Sequence, residues 1–207
     1  MTANDRNCGY LRIIGITGPI GSGKSYLLSL FKKEGFKTIS ADRVYHILTN
    51  KPTKLTSAIC EEFGEGVLNT DGSLNRAKLA EIVFNDKLKL ERLNQITHSE
   101  VIDYIITRCY RNLAGGEWTT VVEVPMMFES GFDKKCSDVI SVIADEQSRV
   151  KRIMKRNGFT EFEAIKRIKN QKNNDFYIAN SKYIVYNDTY ARARADFRRI
   201  LDDLFKK

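Results

Sequence analysis

Residues 18–25 read Gly18-Pro19-Ile20-Gly21-Ser22-Gly23-Lys24-Ser25, the G-x-x-x-x-G-K-[S/T] spacing that cradles phosphates when it follows a strand and opens a helix. Gly18, Gly21 and Gly23 permit backbone angles and close approaches that a Cβ would block. Successive N–H groups then converge as an anion nest at the positive end of a helix. Lys24 has the reach to meet β- and γ-phosphate oxygens, and the Ser25 hydroxyl is placed to ligate Mg²⁺. The plain alternative is a glycine-rich turn that binds nothing, against which the flanking elements argue. The chemistry is that of a nucleoside triphosphate, and other residues must say what is done with it.

No guanine-reading N-K-x-D follows, because Asn50-Lys51-Pro52-Thr53 lacks the aspartate. The run Val121-Val122-Glu123-Val124 ends in Pro125 instead of the acidic residues that close the strand in motor-type ATPases. A small chain with a basic segment fits a phosphoryl transferase whose lid keeps water away from the γ-phosphate. Asp42 falls just past a short second run, residues 36–39, at the carboxyl edge where open α/β sheets bind ligands. A carboxylate there takes a hydrogen bond from an acceptor hydroxyl and aims it at phosphorus, which matters more than early proton removal when the transition state is loose. Its alternative is a helix N-cap. Arg149, Arg152 and Arg156 share a helix face by their spacing of three and four, with Lys166, Arg167, Lys169 and Lys172 beyond the candidate hinge Gly158. Such a run is either solvated surface or a lid that clamps phosphates.

The elements that must position these groups follow from patterning. Residues 11–16 are a β-branched run, and Leu27, Leu28, Leu30 and Phe31 give a helical stripe after the loop, closed by Gly35. Strand, loop, helix, strand is a βαβ unit and implies a parallel sheet. From 43 to 116 no strand is expected. Asp71-Gly72-Ser73 is turn chemistry, residues 74–84 suit a helix, and the apolar residues from Leu93 to Leu113 make one long amphipathic helix. Strands resume at 119–124, 139–144 and 183–186, with helices at 147–156, 161–170 and 190–205. The expected fold class is α/β, with about five parallel strands, a helical insert and a charged segment near residue 160.

The 207 residues fit one unit with an insertion, and a hydrophobic fraction of 42% excludes a disordered chain. Lys plus Arg is 34 and Asp plus Glu is 26, giving +8, a charge that attracts polyanions of any kind. Cys8, Cys60, Cys109 and Cys136 lie far apart, and with only His46 and His98 no zinc spacing exists, so reduced, mostly buried thiols are expected. The start is polar and unlike a signal peptide, and no run of ~18 apolar residues is present to span a membrane. A cytoplasmic protein is expected.

Four blocks together resemble the dephospho-coenzyme A kinase family over residues 13–188. They are the loop from Ile16 to Ser25; Ile39-Ser40-Ala41-Asp42; Val124-Pro125-Met126-Met127-Phe128-Glu129-Ser130-Gly131; and Lys155-Arg156-Asn157-Gly158 with Arg167 and Gln171. Asn94-Gln95-Ile96-Thr97-His98 also fits a family block. The resemblance implies a three-layer α/β/α P-loop NTPase fold as a single kinase unit. Its core would be 10–45, 117–155 and 173–207, its acceptor-binding helical insert 46–116, and its lid about 156–172. It implies transfer of the ATP γ-phosphate to the ribose 3′-hydroxyl of dephospho-coenzyme A, with Mg²⁺ as cofactor held by Ser25. Asp42, Lys24 and Arg156 would be catalytic. Gly18, Pro19, Ile20, Gly21, Ser22, Gly23, Lys24, Ser25, Tyr26, Arg152, Arg156 and Asn187 would bind ATP. Thr17, Asp42, His98, Pro125, Met126, Phe128, Glu129 and Arg167 would border the acceptor. The implied partners are ATP and dephospho-coenzyme A, with no nucleic acid or membrane, in a monomer or weak homo-oligomer.

Plain alternatives stand beside these roles: His98 as a satisfied helix histidine, Met126, Met127 and Phe128 as core, and Arg152 as a surface cation. The chain also departs from the family pattern. Pro19 replaces a usual glycine and removes an N–H from the loop. Ser40 replaces an acid, Ser99 a proline after His98, Asn157 an aspartate, and Asn180-Ser181-Lys182 a usual Ala-Asp. Two rivals remain at this level. One is a P-loop kinase with another small acceptor. The other is a nucleic-acid module suggested by Arg192, Arg194, Arg198 and Arg199, which lacks a helix-turn-helix, zinc or RNP signature.

Overall fold

The computed structural model describes residues 10–84 and 86–205; Cys8 and nearly all of the polar start lie outside the described residues. Ile13, Ile14 and Ile16 favour a pleated, enclosed environment, and they form β1 (Arg12–Thr17), buried from residue 13 to 17. β1 runs parallel to β3 (Thr119–Glu123) on one side and to β4 (Asp138–Ile143) on the other, and β4 runs parallel to β5 (Tyr183–Tyr186). With β2 (Lys37–Ser40) at the edge, the order is β2-β3-β1-β4-β5. β3 and β4 are buried throughout, as strands covered on both faces are. The chain leaves β1 for one side of the sheet and later crosses to the other. The carboxyl end of β1 is therefore a switch point, where open α/β sheets place their ligands.

Two compact units make up the chain: Met1–Ile39 with Cys109–Lys207, and Ser40–Arg108. In the first, α1 (Lys24–Lys33) and α9 (Tyr190–Leu204) cover one sheet face. Leu27, Leu30, Phe31, Ala193, Phe197, Ile200 and Leu204 pack on Ile14, Ile16, Val121, Ile140 and Val142. Phe31 meets Phe36 and Phe197 edge-on, with ring centroids 5.5 and 4.9 Å away. On the other face Gly15 leaves room for Met127 and Cys136, which an added Cβ would approach to 2.7 and 2.8 Å. Burial pushes the Cys136 thiol up to about 12, with the charge of Asp133 adding to it, and pushes Cys109 up to about 11 against a hydrogen bond from Thr120. Both stay protonated near neutrality, and none of Cys60, Cys109 and Cys136 is in a disulfide.

The second unit is helical. α2 (Ala41–Thr49), α3 (Lys54–Phe63), α4 (Arg76–Val83) and α5 (Lys87–Ala114) as far as Arg108 build it around Leu55, Ile59, Leu74, Leu79 and Val83. Thr53 and Thr56 form a capping box on α3, and Arg76 ties α4 to α2 through Thr49 Oγ1 (2.7 Å) and Asn50 Oδ1 (2.8 Å). The expected turn is present: Gly72 has φ 75° and Ser73 N–H donates to Asp71 Oδ1 at 2.9 Å. Among the described residues of this stretch, strand pairing is limited to an isolated Leu68–Leu74 bridge.

Beyond β4 come α6 (Glu146–Asn157), α7 (Glu161–Lys169) and α8 (Asn174–Ala179). Gly158 caps α6 with φ 68°, so the chain turns there without Cβ strain. The sequence patterns locate every strand to within a residue at either end, while the long helix, expected from Leu93, starts six residues earlier at Lys87. They do not single out α2, α3 or the six-residue α8. No helix among the described residues is long and apolar enough to cross a membrane.

Candidate active site

The amino end of α1 differs from those of most other helices. α3, α4, α6, α7, α8 and α9 each have an N-cap side chain that accepts a backbone N–H. α1 is capped by Gly23 at φ 97°, with no side-chain bond and no acid in its first turn. That leaves the positive end of the helix to an external anion.

The loop before it is held open by glycine geometry. Gly18, Gly21 and Gly23 have φ of 138°, 77° and 97°. An added Cβ would overlap the Val142 carbonyl oxygen at Gly18 and the Asn187 carboxamide at Gly23, and would lie 2.8 Å from the Arg149 carbonyl oxygen at Gly21. Lys24 Nζ donates to the carbonyls of Gly18 (2.9 Å) and Pro19 (3.1 Å), so its charge lies over the loop. Ser25 Oγ donates to Glu123 Oε1 at 2.9 Å. Glu123 is 5% exposed at the carboxyl end of β3, the strand beside β1. Hydroxyl and carboxylate together are the hard oxygen donors that Mg²⁺ takes. Among the described residues no cluster of three or more His, Cys, Asp or Glu could hold a metal, so a Mg²⁺ here would be completed by phosphate and water oxygens. Sequence patterning alone does not point to Glu123, because Pro125 ends the run that contains it and nothing local marks it as the partner of Ser25.

Side chains from distant segments grip the loop from outside. Arg149 Nε donates to the Ile20 carbonyl (2.9 Å), and Arg152 Nη1 to those of Gly21 and Ser22 (3.2 Å each). Asn187 Nδ2 donates to the Ser22 carbonyl (2.7 Å), while Gln171 Oε1 accepts the Ile20 N–H (2.6 Å). Arg149 is buried, which pulls its pKa below the ordinary guanidinium value, while the group remains charged. Of the three arginines that share a face, Arg149 and Arg152 therefore meet the loop's carbonyls, whereas Arg156 is exposed and donates to Asn157 Oδ1 (2.9 Å).

Other sequence candidates take these places. Thr17 is buried at the end of β1 and donates to the Pro125 carbonyl (3.3 Å). Met126 is 41% exposed while Met127 is fully buried, and Phe128 packs edge-on to Phe176 at 5.4 Å. Glu129 lies close enough to Tyr177 for its charge to add to the burial that pushes that phenol up to about 12, against an opposing pull from Arg149. Arg167 lies 3.7 Å from the Phe159 ring centroid and donates to the Glu163 carbonyl. Tyr26 packs at a tilt against Tyr190, ring centroids 4.9 Å apart, and accepts from Arg194 Nε. In the helical unit Asp42 is exposed in the first turn of α2, whose N-cap is Ser40, so the alternative of Asp42 as the cap is not what the helix uses. His98 is half-buried on α5.

A family model for dephospho-CoA kinase matches residues 12–192. The chain is 37% identical over 194 residues to the Lactobacillus johnsonii dephospho-CoA kinase, covering 94% of this chain and 96% of that one. A Thermus thermophilus crystal structure superposes with a TM-score of 0.78 at 27% identity, over 94% of this chain and 96% of its own. The Campylobacter jejuni dephospho-CoA kinase superposes with a TM-score of 0.67 at 26% identity, over 94% and 97%. A sheet that carries its phosphate loop on the central strand, and a match of this extent and identity, lead to one assignment: the chain belongs to the dephospho-CoA kinase family.

Proposed function

We propose that this protein transfers the γ-phosphoryl group of ATP to the ribose 3′-hydroxyl of dephospho-coenzyme A, giving ADP and coenzyme A, the final step of coenzyme A biosynthesis. The observation that carries the reading is the uncapped, glycine-shaped amino end of α1 with Lys24 over it and Ser25 hydrogen-bonded to Glu123.

In this reading the triphosphate lies along the main chain from Gly18 to Ser25. Lys24 meets the β- and γ-oxygens, while Tyr26, Arg152 and Asn187 border the nucleotide. Ser25 and Glu123 would hold Mg²⁺, which when bound neutralises charge on the β- and γ-phosphates. Asp42 accepts the hydrogen bond of the 3′-hydroxyl and takes its proton as the oxygen attacks phosphorus. The bond from the γ-phosphorus to the β,γ-bridging oxygen breaks, and Lys24 and Arg156 offset the charge that develops there. Thr17, His98, Pro125, Met126, Phe128, Glu129 and Arg167 bind the acceptor. The helical segment 46–116 belongs to acceptor binding, and residues 156–172 act as the lid that excludes water. The same reading makes the protein cytoplasmic, a monomer or weak homo-oligomer, with nucleic acid and membrane outside its function.

The test is mass spectrometry of the product formed from ATP, Mg²⁺ and dephospho-coenzyme A, run beside nucleoside monophosphates. A product one phosphoryl group heavier than dephospho-coenzyme A supports the assignment; turnover of a nucleotide with none of dephospho-coenzyme A rejects it. Asp42→Asn is expected to lower kcat by ~10²–10⁴-fold while the Kd for ATP stays within about twofold, because the amide keeps the shape but loses the proton acceptor. Loss of ATP binding in that variant would reverse the role given to Asp42.

A further inference from the structure

We infer that Arg149 and Gln171 are positioning residues that hold the phosphate loop in its anion-binding shape, and that Ile20 is the joint through which the α6–α7 hairpin does so. The inference rests on the loop being the ATP site.

In a planar trans peptide the C=O and the following N–H point in opposite directions. Fixing a carbonyl outward therefore aims the next amide inward. Arg149 Nε on the Ile20 carbonyl orients the Gly21 N–H in this way, and Asn187 with Arg152 on the Ser22 carbonyl orients the Gly23 N–H. Pro19 has no N–H, so Ile20 carries the next amide of the loop after Gly18. Gln171 takes that amide from the far end of the hairpin, at 2.6 Å. The Ile20 side chain is seated as well, against the small core of Val150, Ile153, Ala164 and Ile168 that joins α6 to α7. One residue of the loop is thus tied by its N–H to the segment after α7, by its C=O to α6, and by its side chain to both helices. Any movement of the hairpin bears on the direction of the Gly21 amide.

Gln171 is exposed, so Gln171→Met removes the acceptor without a packing penalty, and Ile20→Ala loosens the seat. The measurements are steady-state kinetics, the thermal midpoint, and amide hydrogen exchange of residues 161–169 with and without a non-hydrolysable ATP analogue. In the unaltered protein the analogue is expected to slow exchange in α7. In Gln171→Met the KM for ATP is expected to rise about three- to tenfold, the span of one lost hydrogen bond, with the KM for dephospho-coenzyme A and the midpoint unchanged. In both variants the slowing of α7 by the analogue is expected to shrink. A purely structural role would move the midpoint without this split between the two KM values. Variants that keep both the KM for ATP and the slowing of α7 overturn the inference. An unaltered protein that fails to bind the analogue overturns the functional reading instead, and the two failures are told apart by that control.

Discussion

Lys24→Ala is expected to lower kcat/KM at least ~10²-fold, or about 2.7 kcal/mol of transition-state stabilisation. The ammonium lies over the loop with its donors on the Gly18 and Pro19 carbonyls, so it needs only a short swing to reach a triphosphate above them. Among the described residues no other side-chain cation donates to those two carbonyls, and Arg149 Nε and Arg152 Nη1 donate instead to the carbonyls of residues 20–22. Lysine acts here as a compact point charge, which arginine cannot imitate from the same backbone position. Steady-state kinetics at saturating Mg²⁺ read the effect, and a variant within about threefold of the unaltered enzyme would show that the triphosphate is bound elsewhere.

Gly18→Ala is expected to disable the loop through geometry instead of charge. Gly18 has φ 138°, and its Cβ would overlap the backbone oxygen of Val142, on a buried strand that cannot give way. Backbone strain of about 1–2 kcal/mol and overpacking of about 1–3 kcal/mol together cost about 2–5 kcal/mol. In a chain of this size that lowers Tm by roughly 4–20 °C. ATP affinity is expected to fall with it, because the loop can relieve the overlap only by moving away from β4. Gly116→Ala is the comparison: it has φ 84° but open space around the added Cβ, so it carries the strain alone, about 1–2 kcal/mol, and leaves ATP affinity intact. Equal behaviour of the two variants by differential scanning calorimetry and nucleotide titration would show that the loop does not press on β4.

The phosphate loop was legible because all its information is local. Three glycines at fixed offsets, a lysine, a hydroxyl and a β-branched run before them specify a strand, a turn and a helix end within fourteen residues, 12–25. β1, β3 and β4 were legible for a similar reason, since a strand buried on both faces reads as a short apolar run wherever it occurs. Glu123 was not legible. Its meaning depends on β3 lying beside β1, a neighbour relation that the order of segments does not state, and its bond to Ser25 spans 98 positions. The arginine face illustrates the same limit. Helical spacing correctly placed Arg149, Arg152 and Arg156 together, yet only the packed chain shows the first two turned to loop carbonyls and the third to Asn157.

From residue types and spacing alone came the nucleotide chemistry, the α/β class with its strandless middle segment, and the family resemblance, because each depends on contacts within a turn or two of chain. The tertiary structure decided which acid meets the loop serine and which side chains hold the loop's peptides. Those contacts join residues up to 165 positions apart, and free energy spread over such closures leaves no periodic trace in the sequence.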